Sequence, residues 1–216
     1  MNRKSLIIVS LVSLVALFVV AAQVYRSQRA DEVANLALES AQLFEPASAR
    51  RYGDPAARVV IVEFFDPACE TCAELAPLLK AMVDDSGGRV RIVERYAPFH
   101  PGSDEIVALL EATRKQDKYW VALDILFTTQ AQWAAHGNPQ PQRLWALLEQ
   151  GGLDVMKLST DMKDPAIAAL IAKDIQDART LGVKATPEFF VNGKPLPTWG
   201  MKQLKDLVQS ELAATY

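Results

Sequence analysis

An apolar, β-branched run that stops at a proline turn and resumes as a helix carrying both cysteines restricts the fold more than any other stretch. Residues 59–65 read Val-Val-Ile-Val-Glu-Phe-Phe, Asp66-Pro67 supplies the turn, and Cys69 and Cys72 head a helix-forming run over 70–83. A strand that ends where a helix begins places Cys69 near the helix N-terminus. There, free backbone N–H groups and the helix dipole stabilise a thiolate. Cys72 lies one turn further in, close enough to close a disulfide, and that is the arrangement reversible thiol–disulfide exchange requires.

The two cysteines are the only ones in the chain. A static bridge closing so short a loop contributes little entropy. A zinc site would need two further ligands, and the chain offers only His100 and His136 besides carboxylates. The alternatives to redox chemistry are therefore a soft ion such as Cu(I) on two thiolates or an interaction domain with a redox-silent cysteine pair. Glu63 stands six residues before Cys69 on an apolar strand. Burying an ionised carboxylate there is costly, so its pKa is expected to rise.

The stretch Glu63-Phe64-Phe65-Asp66-Pro67-Ala68-Cys69-Glu70-Thr71-Cys72 resembles the active-site strand, turn and helix of the DsbA-like branch of the thioredoxin superfamily. A second match lies about 115 residues downstream, at Gly182-Val183-Lys184-Ala185-Thr186-Pro187-Glu188-Phe189-Phe190-Val191-Asn192-Gly193. It is similar to the family segment whose proline is cis and faces the cysteines. The resemblance implies an α/β thioredoxin-like fold with an inserted helical subdomain. It also implies Cys69 as nucleophile, Cys72 as resolving thiol and Glu63 as the acid that relays the proton of Cys72. Thr186, Pro187, Glu70 and Thr71 become the substrate-facing positions. The expected function is a thiol:disulfide oxidoreductase, with disulfide isomerase or reductase as the alternative direction. The Cys69–Cys72 pair would itself be the redox centre without a bound cofactor or metal, since no flavin or nicotinamide motif is apparent. Electrons would then pass to and from protein substrates and a membrane redox partner.

Oxidising members of the branch often carry Pro-His between the cysteines, whereas this chain carries Glu70-Thr71. Glu70 and Asp66 add negative charge near Cys69, which disfavours its thiolate. The expectation is a couple more reducing than a dedicated oxidase.

Compartment has to come from the N-terminus. Arg3 and Lys4 precede 19 uncharged residues, 6–24, about the ~20 needed to span a bilayer. Residues 1–25 are read as a transmembrane anchor, or a signal peptide cleaved near Ala22, which puts the rest outside the cytoplasm; the resemblance implies the periplasmic side of the inner membrane, or the periplasm after cleavage. Residues 26–50 read as a helical linker, either a spacer or a dimerisation stalk. Residues 51–216 read as the thioredoxin-like domain, with the insertion at about 102–181. The formal net charge of −3 leaves no basic footprint for nucleic acid.

Along that domain, Tyr52-Gly53-Asp54-Pro55 reads as a turn and 89–96 as a strand parallel to 59–65 through a right-handed crossover. Helices are expected over 103–116 with Ser103 as cap, and over 117–129, 142–150 and 164–181. A strand at 187–191 turns at Asn192-Gly193, and a helix over 201–212 closes the chain. His100 reads as a surface histidine, and Trp120, Trp133, Trp145 and Trp199 read as core.

Overall fold

In the computed structural model, β2 (Val59–Phe65) and β3 (Val90–Tyr96) lie side by side and parallel, in register from Val59↔Val90 to Phe65↔Tyr96. The helix α1 (Glu70–Asp84) makes the crossover between them and continues through Pro77. Both strands are buried on both faces, as their near-continuous apolar sequences require. The structure describes residues 17, 18, 20, 21, 23, 24 and 41–216. Phe44–Tyr216 form one compact unit, and the residues up to Leu43 belong to a separate one. The described residues among 17–24 are helical and exposed. Among the described residues no helix is long and apolar enough to cross a membrane. The expected anchor and linker helix fall mostly outside the described residues.

The sheet has the order β1-β3-β2-β4-β5. The strand β4 (Glu188–Val191) runs antiparallel to β2, and β5 (Lys194–Pro195) runs antiparallel to β4. Asn192 and Gly193 join them with φ of 48° and 77°, the positive values that a two-residue hairpin of this hand demands. The other edge strand, β1 (Arg50–Gly53), pairs antiparallel with β3 and corrects the expected turn at 52–55. Its four residues alternate between half-buried and exposed, so no apolar period marks them. The turn begins only at Gly53, whose φ of 108° is one that side chains rarely adopt.

Alternation along the strands divides the core. Val59, Ile61, Val90, Ile92 and Phe189 pack beneath α1 and the closing helix α8 (Met201–Thr215). Val62, Phe64, Val93 and Phe190 face the other way, against Ala178 and Val183. A third cluster joins Phe65, Cys69, Cys72 and Tyr96 to the helical insertion. The insertion comprises α2 (Ser103–Ala112), α3 (Tyr119–Thr128), the short α4 (Gln130–Trp133), α5 (Leu144–Gln150), α6 (Val155–Asp161) and α7 (Pro165–Thr180). Both α4 and α6 are short enough to have escaped the periodicity. Arg95 on β3, fully buried, ties the sheet to α7 by donating to Asp174 at 2.9 Å and Asp177 at 2.6 Å.

Two local expectations are corrected. Ser103 does not cap α2, because Gly102 in the left-handed region does so, and the Ser103 hydroxyl turns inward to Asp66. The tryptophans are not uniformly core: Trp133 is buried, but Trp120 and Trp199 are exposed.

Candidate active site

The site forms where β2 ends. The Asp66 carboxylate, with no exposed surface, accepts hydrogen bonds from the backbone N–H groups of Ala68 (2.8 Å), Phe99 (2.7 Å) and His100 (2.8 Å). It also meets His100 Nδ1 at 2.8 Å and takes the Ser103 hydroxyl. One carboxylate thus fastens the turn after β2 to the loop after β3 and to the start of α2. His100 is one of its partners rather than a free surface histidine. The Asp66 carbonyl accepts the Cys69 N–H at 3.0 Å, and Cys69, extended at φ −77° and ψ 119°, becomes the N-cap of α1. From the insertion, the buried Gln130 amide donates to the carbonyls of Pro67 (2.8 Å) and Cys69 (3.0 Å). Gln130 was not singled out from the sequence.

Cys69 Sγ donates to the Thr186 carbonyl at 3.2 Å, and the Thr186–Pro187 peptide bond is cis. The exposed Trp199 holds the Pro187 carbonyl through its indole N–H at 3.0 Å. Cys72 is fully buried, whereas Cys69 keeps a little surface. Both thiols are free.

The electrostatics separate the two sulfurs. The Cys69 thiol is lowered to about 6, first by a hydrogen bond from Cys72. Burial opposes this, and the Thr186 side chain and the N–H groups of Cys72 and Thr71 assist it. Cys72 is pushed well up by burial, by its bond to Cys69 and by the charges of Glu63 and Cys69. The acids expected to work against the Cys69 thiolate face elsewhere: Asp66 is enclosed by its donors, and Glu70 is exposed and accepts the His136 N–H at 3.0 Å. A thiol at about 6 still stands above the ~3.5 of a strong oxidase.

Beneath the cysteines, burial pushes Glu63 well up, followed by the charges of Glu94 and Cys69. Glu94 was not picked out from the sequence, although a signal exists. It is the fifth residue of a seven-residue strand that reads Val-Arg-Ile-Val-Glu-Arg-Tyr, matching Glu63 in Val-Val-Ile-Val-Glu-Phe-Phe. The two lie directly opposite each other in the ladder. Among the described residues no group of three or more His, Cys, Asp or Glu is arranged to hold a metal ion.

The family model described as Thioredoxin matches residues 46–210. A thioredoxin-like oxidoreductase from Silicibacter pomeroyi superposes with a TM-score of 0.71 at 29% identity, over 81% of this chain and 98% of that one. A probable disulfide bond formation protein D from Bacillus cereus is 28% identical over 79% of this chain and 82% of its own length. A Na(+)/H(+) antiporter NhaA from Herminiimonas arsenicoxydans is 31% identical over 67% of this chain. The chain spans only 22% of that antiporter's length. The chain belongs to the thioredoxin family.

Proposed function

We propose that the protein is a thiol-disulfide oxidoreductase that exchanges disulfides with other proteins through Cys69-Glu70-Thr71-Cys72. The observation that carries this reading is the asymmetry of the two thiols. Cys69 caps a helix beside the Thr186 carbonyl with its thiol lowered to about 6, while Cys72 is buried and raised.

In the reductive direction the Cys69 thiolate attacks one sulfur of a substrate disulfide. A Cys69–substrate bond forms, the substrate S–S bond breaks, and the departing sulfur leaves with the electron pair and is protonated by solvent. Cys72 then passes its proton to Glu63 and attacks Cys69 Sγ. The Cys69–Cys72 bond forms, and the second substrate sulfur leaves as thiolate. The substrate gains two electrons and the cysteine pair loses them. The reverse sequence oxidises a substrate dithiol.

Thr186 and Pro187 offer backbone to an extended substrate segment in β fashion, and Glu70 and Thr71, between the cysteines, are the further positions assigned to substrate contact. The redox centre is the cysteine pair, without a further cofactor. The uncharged N-terminal run supports action on the outer side of the cytoplasmic membrane, with a membrane protein resetting the pair. The test is trapping. Cys72→Ser is expected to accumulate a mixed disulfide with a reduced, unfolded protein substrate under oxidised glutathione, and Cys69→Ser to form none. Equal capture by both variants would overturn the assignment of roles.

A further inference from the structure

Four positions form one row across the sheet. Arg50 on β1 pairs with Glu94 on β3, Glu94 with Glu63 on β2, and Glu63 with Phe189 on β4. Paired residues in a ladder share a face, and here it is the face beneath α1. Glu63 and Glu94 are 4% and 8% exposed. Arg50 does not neutralise them. Its Nε points to Glu111 at 3.7 Å, and a terminal nitrogen donates to the Ser48 carbonyl. Among the described residues no ion pair reaches either glutamate.

The surrounding titratable groups are defined. From α1, Cys69 and Cys72 face Glu63. From α3, Tyr119 faces Glu94. Tyr96, further along β3, donates to Glu111 of α2 at 2.6 Å and meets the Tyr119 hydroxyl at 2.9 Å. None of these supplies a positive charge. Two adjacent buried carboxyls without a cation do not both ionise. Burial accordingly pushes Glu94 up to about 8 and Glu63 well up.

We propose that Glu94 is a positioning residue that carries its own proton beside the protonated Glu63 and donates it in a hydrogen bond to the Glu63 carboxylate once Glu63 has protonated Cys72. This rests on the oxidoreductase reading. When a thiolate opens the Cys69–Cys72 disulfide, its sulfur bonds to Cys69 and the Cys69–Cys72 bond breaks. Cys72 leaves with the electron pair and takes the Glu63 proton. The carboxylate left behind has no counter-ion, and the remaining proton on Glu94 stabilises it until water restores the first.

The experiment measures, on the full chain, the rate at which glutathione opens the Cys69–Cys72 disulfide, together with the infrared carboxyl signal as pH is raised. The wild type is expected to lose buried carboxyl protons in two steps. Glu94→Leu, which has no donor, is expected to show one step and open about tenfold more slowly, a fraction of what general acid catalysis contributes. Glu94→Gln retains an N–H donor and is expected to restore the rate while still titrating in one step. A single step in the wild type, a wild-type rate in Glu94→Leu, or a Glu94→Gln as slow as Glu94→Leu would overturn the proposal. Should Glu94→Leu not fold, Glu94→Gln and the wild type still decide it by their step counts. A wild type that glutathione does not open would instead sink the oxidoreductase reading, and the step count would test the protonated pair independently.

Discussion

Cys69 Sγ donates to the carbonyl of Thr186, 117 positions away in the chain, at 3.2 Å. That contact joins the two segments on which the site depends, the turn after β2 and the cis-proline loop before β4. It leaves the sulfur beside the cis-proline backbone that the proposed function assigns to substrate. Hydrogen bonds from Cys72 and Thr186 to the thiolate lower the Cys69 thiol to about 6.

Cys69 should therefore titrate near 6, as followed by thiolate absorbance in the reduced protein. Its folded value lies below the ordinary 9.0, so the unfolded chain binds more protons between the two. The resulting stabilisation is complete above about 9, and it is lost as pH falls toward about 6. The stability of the reduced wild type minus that of Cys69→Ala should rise across that window. A flat difference would contradict the lowered thiol.

Glu94 acts in the opposite sense. Its folded value, pushed up to about 8 from an ordinary 4.5, means that the folded protein keeps a proton the unfolded chain releases. Stability falls as pH rises through that interval. Glu94→Gln removes this contribution, so its advantage over the wild type in urea unfolding should grow from pH 5 to pH 8, within the interval the two values bound.

Gln130 anchors the insertion to the cysteine turn through two carbonyls. Gln130→Leu leaves both acceptors without this donor in a buried site, at a cost of about 1–3 kcal/mol. Amide exchange at the start of α1 should accelerate more than exchange in α8. A uniform change would mean the contact has no local role.

Among the described residues, Arg95 is the cation that the hydrogen bonds place between Asp174 and Asp177 in the interior, with Lys173 at the rim. Arg95→Gln leaves buried carboxylates short of a partner and should cost about 3–5 kcal/mol in chemical denaturation. A loss below about 1 kcal/mol, the range of surface pairs, would contradict the buried character of this link.

The strand–turn–helix, the parallel partner strand and the Asn-Gly hairpin were legible because each rests on local chemistry: β-branched runs, a proline stop, a left-handed turn. Cys69, Cys72, Glu63 and the Thr186-Pro187 pair were legible through spacing and resemblance. What stayed hidden depends on register or on distance. Glu94 gains its meaning only when β3 is laid against β2 at Glu63↔Glu94. Gln130 meets carbonyls 61 and 63 positions away. Asp66 looked like a charge near the nucleophile. Its donors come from its own turn and from residues 99–103 after β3, and together they make it a clamp instead. The edge strand β1 has no apolar alternation of its own and exists because β3 offers it a partner.

The most direct measurement is the equilibrium potential of the Cys69–Cys72 couple in glutathione buffers. A thiol at about 6 lies between those of thioredoxin and a strong oxidase. The expected potential accordingly falls between about −270 and about −120 mV. A pair that shows no redox transition with glutathione, its thiols remaining alkylatable at every buffer ratio, would contradict the assignment as a thiol-disulfide oxidoreductase.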